Sequence, residues 1–209
     1  MINYFFEKAF FYRSYQNLIR KKNNDYVFLK YIFKNLRKKI NILDVGCGDS
    51  HILKYIAPYI NTYIGLDYNQ NYLAYSKKKS LKYKFYNCDI DNIKILNQKN
   101  LNFIFINGVI HHLNDEKVVK LITYLYKNFP RSMFLIIDPV KKDNNFLNKL
   151  MIKYDRGKFI RTENKYRILL KNFKSYVIDD FFLMNFLLVF HYKNLDLKKF
   201  YLNWKKICN

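Results

Sequence analysis

Short apolar runs recur along the chain, and each gives way to a turn and then to a segment of helical spacing. "KINILDVGCG" reads as a buried strand running into a glycine loop, with "HILKYIAPY" as the helix after it. "NTYIGLDYN" is a second short strand that ends at Asp67, "NYLAYSKKKS" a helix, and "KYKFYNCDI" an alternating third strand ending near Asp89. "LNFIFINGVIHHL" is an apolar strand followed by a loop, "DEKVVKLITYLYKNF" an amphipathic helix, and "SMFLIIDPV" a fifth strand stopped by Pro139. The rhythm then breaks. A polar insertion, residues 141–165, precedes the helix "YRILLKNF", and two apolar strands, "KSYVIDDFF" and "NFLLVFHYK", lie close enough to pair antiparallel.

Strands alternating with helices predict an α/β domain whose sheet is mostly parallel and covered on both faces. The expected architecture is one domain, 1–209: a helical cap over 1–38, a core over 39–140, an insertion with its helix over 141–173, and a final strand pair and tail over 174–209. The pattern gives about seven strands, with the last one antiparallel.

Composition changes the picture little. Half the residues are apolar and 19% are aromatic, which excludes a disordered chain. The net charge of +22 invites a polyanion partner, but only seven of the 38 basic residues are arginine. Arginine is the residue suited to bidentate phosphate and base contacts. With Asn, Tyr, Ile and Phe equally abundant, the lysines read as compositional bias. Nucleic acid is therefore not favoured, while a mildly anionic partner or peripheral membrane contact stays open. Cys47, Cys88 and Cys208 form no CxxC pair, so neither a disulfide framework nor a metal site is expected, in keeping with a reducing cytoplasm. "FFLMNFLLVF" is too short to span a bilayer, and Glu7, Lys8 and Arg13 interrupt the aromatic N-terminus. Nothing in the sequence sets the oligomeric state.

The chemistry concentrates in "ILDVGCGDS", which holds two of the chain's five glycines, Gly46 and Gly48. Glycine where a strand enters a loop marks positive φ or a close approach to the backbone. Such a loop can hold a ligand's tail against free backbone N–H groups and a helix N-terminus. Asp67 ends the second strand 21 residues after Gly46, where an acid suits the two hydroxyls of a ribose. A dinucleotide-binding reading would require G-x-G-x-x-G, and the residue three after Gly48 is His51.

The chain resembles the class I S-adenosylmethionine-dependent methyltransferases, small-molecule type. "ILDVGCGDS", "IGLDYN", "NCDI", "FINGVIHHL" and "LIIDP" are similar to five of that family's motifs, in order. The resemblance implies a Rossmann-like doubly wound fold, S-adenosylmethionine as cofactor and S-adenosylhomocysteine as product. It implies a cofactor site of Asp44, Gly46, Cys47, Gly48, Asp67, Tyr68, Asp89, Ile90 and Asn107. Asp44 is expected by the amino group, Asp67 at the ribose, Tyr68 against the adenine and Asp89 at the adenine amine. The family's third glycine is Ser50 here, and a serine there is expected to cap the following helix.

Methyl transfer from a sulfonium needs alignment more than acid–base help, so a base matters only if the acceptor must lose a proton. His111 and His112 are the candidates for it. On the acceptor side stand Asp138, and Arg156 and Arg161 of "DRGKFIRT", a segment similar to one in bacterial methyltransferases of small or sugar-like substrates. Tyr12 and Tyr15, on a helical lid, complete the set. The expected acceptor is a small polar or saccharide-like molecule. RNA or protein methylation steered by charge, and a cofactor-binding module without turnover, are the alternatives. No N/D-P-P-Y/F motif follows the fourth strand, which disfavours an adenine or amide nitrogen as acceptor.

Overall fold

The computed structural model describes residues 29–30, 32–34, 39–95, 100–141, 152–153, 155–171, 173–178 and 185–191. Seven strands form one sheet in the order β3-β2-β1-β4-β5-β7-β6. They are β1 Ile40–Val45, β2 Ile60–Asp67, β3 Lys84–Asn87, β4 Phe103–Asn107, β5 Met133–Val140, β6 Lys174–Ile178 and β7 Asn185–His191. The first five run parallel, and β7 inserts antiparallel between β5 and β6. This is the expected Rossmann-like, mostly parallel sheet of seven strands with an antiparallel last strand.

The described helices are α1 Leu53–Ile56, α2 Gln70–Lys79, α3 Asp115–Asn128 and α4 Glu163–Leu169. Short 3-10 turns cover Ala57–Tyr59, Ile90–Ile95 and Ile110–His112. Helix α3 shows why the pattern was readable. Val118, Leu121, Ile122 and Leu125 recur at helical spacing and are all buried, while the Asn114 side chain caps the first turn by accepting from the Lys117 N–H at 2.9 Å. The helix after β1 is shorter than expected, one α turn continued as a 3-10 turn around Pro58.

The period of two along the strands divides the core between the two faces of the sheet. Ile42, Phe103, Phe105, Leu135 and Ile137 pack on one face, and Leu43, Ile104, Ile106, Phe134 and Ile136 on the other. Strand β5 is buried at every position and runs through Pro139 to Val140, so Pro139 does not stop it. Gly65 lies mid-strand because a Cβ there would come within 2.7 Å of Cys47 Sγ and 2.9 Å of the Phe85 ring. From β1 the chain winds outward to β2 and β3, then crosses back to β4 on the other side of β1. That reversal opens a crevice at the carboxyl ends of β1 and β4, where ligands bind in doubly wound sheets.

Candidate functional site

The loop after β1 forms one wall of the crevice. Gly46, Gly48 and Ser50 all adopt positive φ, at 72°, 54° and 54°. Gly46 has a second reason to lack a side chain, since a Cβ would lie 2.4 Å from Val109 Cγ2. The loop's N–H groups are not free, contrary to the sequence expectation. Gly46 and Cys47 both donate to the Leu66 carbonyl, at 2.7 and 2.9 Å, and Gly48 donates to Asp67 Oδ2 at 2.8 Å. The end of β2 thus holds the glycine loop in shape. Ser50 corrects a second expectation: α1 has no side-chain cap, and Ser50 instead holds the left-handed backbone that glycine favours. Its buried hydroxyl lies beside Cys47 and Tyr63 without a well-formed hydrogen bond.

Two buried carboxylates stand behind this loop. Asp44 accepts a short hydrogen bond from the Tyr63 hydroxyl. Burial lifts its carboxyl to about 7; the Tyr63 bond offsets part of the rise, and the charge of Asp67 adds to it. Asp67 accepts from the Asn69 N–H through Oδ1 at 2.8 Å and from Gly48 through Oδ2. Burial raises it too, opposed by those backbone donors and then by the charge of Arg156. Two acids at the strand ends, one held near neutrality, are a setting for a cationic amine and a diol.

The other residues expected on the cofactor side lie after or at the carboxyl ends of β2, β3 and β4. Tyr68, directly after Asp67, is 76% exposed and offers a free ring face. Asn87 at the end of β3 fixes it, donating to the Tyr68 carbonyl at 2.8 Å and the Asp67 carbonyl at 3.2 Å. Asp89 is exposed and accepts from the Asp91 N–H at 3.1 Å, opening the turn in which Ile90 is half-buried. Asn107 ends β4, and its buried Oδ1 has no partner among the described residues. The Cys47 thiol points into the core, with burial holding it well above its ordinary pKa, so it offers no thiolate.

The histidine pair divides in two. His111 is buried, with Nδ1 3.0 Å from Asp138 Oδ1 and Nε2 3.3 Å from Asp155 Oδ1. Burial disfavours its cation, but the two carboxylates, Asp138 foremost, outweigh that and raise it to about 9. An imidazolium with both nitrogens engaged has no lone pair to take a proton, which corrects the expectation of His111 as base. His112 is exposed, its ring 4.1 Å from that of His111. Desolvation and then the positive charge of His111 pull it down to about 4, so it is neutral at physiological pH.

Two acceptor-side expectations also change. Asp138 is fully buried: Oδ1 accepts from the Val109 N–H at 3.0 Å as well as facing His111, and the Tyr166 hydroxyl lies 2.7 Å from Oδ2. Arg161 is buried as a rivet. It donates to the carbonyls of Ile110, Phe159 and Leu113, at 3.0, 2.9 and 2.6 Å, and to Asp115 Oδ1 at 2.8 Å. Neither is available to a substrate. Arg156 stays exposed, and its charge is felt by Asp67 and His112. Tyr12 and Tyr15 lie outside the described residues. Tyr63, Asn87 and Tyr166 escaped sequence reading, because nothing local marks one tyrosine among twenty or one amide among many. Among the described residues, no cluster of His, Cys, Asp or Glu is suited to a metal, and no helix is long and apolar enough to cross a membrane.

Comparison with known proteins places these features. Residues 42–129 match the model of a methyltransferase domain family. A malonyl-[acyl-carrier protein] O-methyltransferase of Hamiltonella defensa subsp. Acyrthosiphon pisum (strain 5AT) is 34% identical over 82 residues, 39% of this chain and 31% of that protein, so the match spans under a third of the relative's length. The magnesium protoporphyrin IX methyltransferase ChlM of Synechocystis PCC 6803, solved with bound S-adenosylhomocysteine, is similar in fold. Its TM-score is 0.61 at 14% identity, covering 81% of each chain. The plantazolicin methyltransferase BpumL is similar at a TM-score of 0.62 and 17% identity, over 85% of this chain and 88% of that one. The segment that matches the methyltransferase domain model, residues 42–129, contains the glycine loop and both strand-end acids.

Proposed function

We propose that this chain binds S-adenosylmethionine in the crevice between β1 and β4 and transfers its methyl group to a small polar or saccharide-like acceptor in the cytoplasm. The observation that carries the reading is the bond from Gly48 N–H to Asp67 Oδ2, which joins the glycine loop to the ribose acid in one preformed unit. Asp44 faces the amino group of the methionine portion. Asp67 keeps unused lone pairs on both oxygens for the ribose hydroxyls. Tyr68 lies along the adenine with Asp89 and Ile90 at its edge, and the unpartnered Oδ1 of Asn107 accepts from the ligand. The sulfonium of the cofactor supplies a methyl group already activated for in-line displacement. The chain's part is therefore to align the acceptor and exclude water, with His112 the neutral imidazole at the rim. Arg156 extends the wall on the acceptor side.

Titration calorimetry with S-adenosylhomocysteine tests the cofactor half. Asp67→Ala weakens binding at least tenfold, about 1.4 kcal/mol, without unfolding the protein. Unchanged affinity removes Asp67 from the ribose, and a wild-type chain that binds poorly is a module without turnover. Labelled methyl transfer into fractionated extract tests the acceptor half. Label in small metabolites or saccharides supports the reading. Label in RNA that is lost as salt rises assigns the basic charge a function.

A further inference from the structure

The loop from Asn107 to His112 closes one turn on itself, with the His112 N–H donating to the Val109 carbonyl at 3.0 Å, and is otherwise held from outside. Its 3-10 turn has no side-chain cap at the N-terminus, and its support arrives from about fifty residues further along the chain. Asp155 reaches His111 Nε2, the Phe159 N–H donates to the His111 carbonyl at 2.9 Å, and Arg161 ties down the carbonyls of Ile110 and Leu113. Gly157 sits directly against the His111 ring, where a Cβ would fall 1.9 Å from His111 Cδ2. Its N–H donates to the same Asp155 oxygen that faces His111. Asp138 grips the other ring nitrogen and the Val109 N–H, and Tyr166 holds Asp138. His111 is thus the pin between the insertion and the end of β5.

The two ends of the pinned loop belong to different halves of the site. Asn107 ends β4 with its Oδ1 buried and unpartnered, and His112 is exposed at the other end. We propose that residues 155–161 form a clasp that positions the Asn107–His112 loop at the carboxyl end of β4, with Asp155 as the positioning residue and Gly157 as the seat of the clasp. Acceptor-side and cofactor-side halves are then fastened through one buried imidazole. The clasp rests on the methyltransferase reading only for the identity of the ligand.

The groups facing His111 are Asp138 from β5, Asp155 from the insertion and His112 from its own turn, so removing the Asp155 charge tests the clasp selectively. The experiment compares the wild type with Asp155→Asn, Asp155→Glu, Gly157→Ala and the exposed control Lys158→Ala, each checked for a cooperative melt. The readouts are amide hydrogen exchange at His112 and Phe159, the His111 ring titration by nitrogen NMR, and S-adenosylhomocysteine affinity by calorimetry. In folded Asp155→Asn, both amides exchange at least tenfold faster, His111 titrates at lower pH, and affinity falls about fivefold. Gly157→Ala moves exchange and affinity the same way, Asp155→Glu restores part of both, and Lys158→Ala changes nothing. Unchanged exchange in folded Asp155→Asn overturns the clasp, and faster exchange with unchanged affinity overturns its positioning role. A wild-type chain that binds no S-adenosylhomocysteine overturns the functional reading instead, and the clasp is then decided by exchange and the His111 titration.

Discussion

Asp44 gives the sharpest test of how the site holds charge. Its carboxyl sits at about 7 because burial disfavours the anion, with Tyr63 offsetting part of that and Asp67 adding to it. A displacement from the ordinary 3.8 to about 7 corresponds to about 4 kcal/mol. The sign follows from proton counting. Between these two values the folded state holds a proton that the unfolded chain has released, so stability falls as pH rises through this window and is greatest below it. Chemical denaturation from pH 4 to 7.5 therefore costs the wild type on the order of 4 kcal/mol more than Asp44→Asn, which has nothing to titrate there. Binding has the opposite slope. A ligand ammonium requires the anion, so the affinity for S-adenosylhomocysteine rises about eightfold from pH 6 to 7.5 in the wild type. It stays flat and weak in Asp44→Asn. Calorimetry at a series of pH values reads this directly. Parallel stability curves for the two proteins, or wild-type affinity independent of pH, would refute the placement of Asp44 as the buried counter-ion.

Two more outcomes follow from the geometry of the loops. Ser50→Gly relieves a left-handed backbone at a non-glycine residue. The variant gains about 0.5–1 kcal/mol by urea denaturation once glycine's greater unfolded-state entropy is counted; a loss would mean that the hydroxyl is bonded in the folded protein. Arg161→Met strands two carbonyls on the β4–α3 connection, those of Ile110 and Leu113, together with that of Phe159, and costs about 3 kcal/mol. A change under 1 kcal/mol would show that water replaces the guanidinium without penalty.

The legible part of the site was the part built from neighbours in sequence. The "ILDVGCG" strand and loop, and the acid that ends "IGLD", are set by strand burial, by the left-handed glycines and by the fixed stride of a strand–helix–strand unit. All of these act over one or two dozen residues, so sequence alone assigned the fold class, the glycine loop and Asp67. The tertiary structure decided what could not be local. Asp138 and Arg161 look like surface ligands in the sequence because both are charged and lie near strand or loop ends. The chain closes over them, so that Asp138 is buried between His111 and Tyr166, and Arg161 between the carbonyls of a turn fifty residues away. His111 and His112 are adjacent and chemically identical in sequence, yet two bonded carboxylates raise the first to about 9, while desolvation and its neighbour's charge lower the second to about 4. A charge takes its role from the groups that surround it once water is excluded, and those groups are brought together only by the fold.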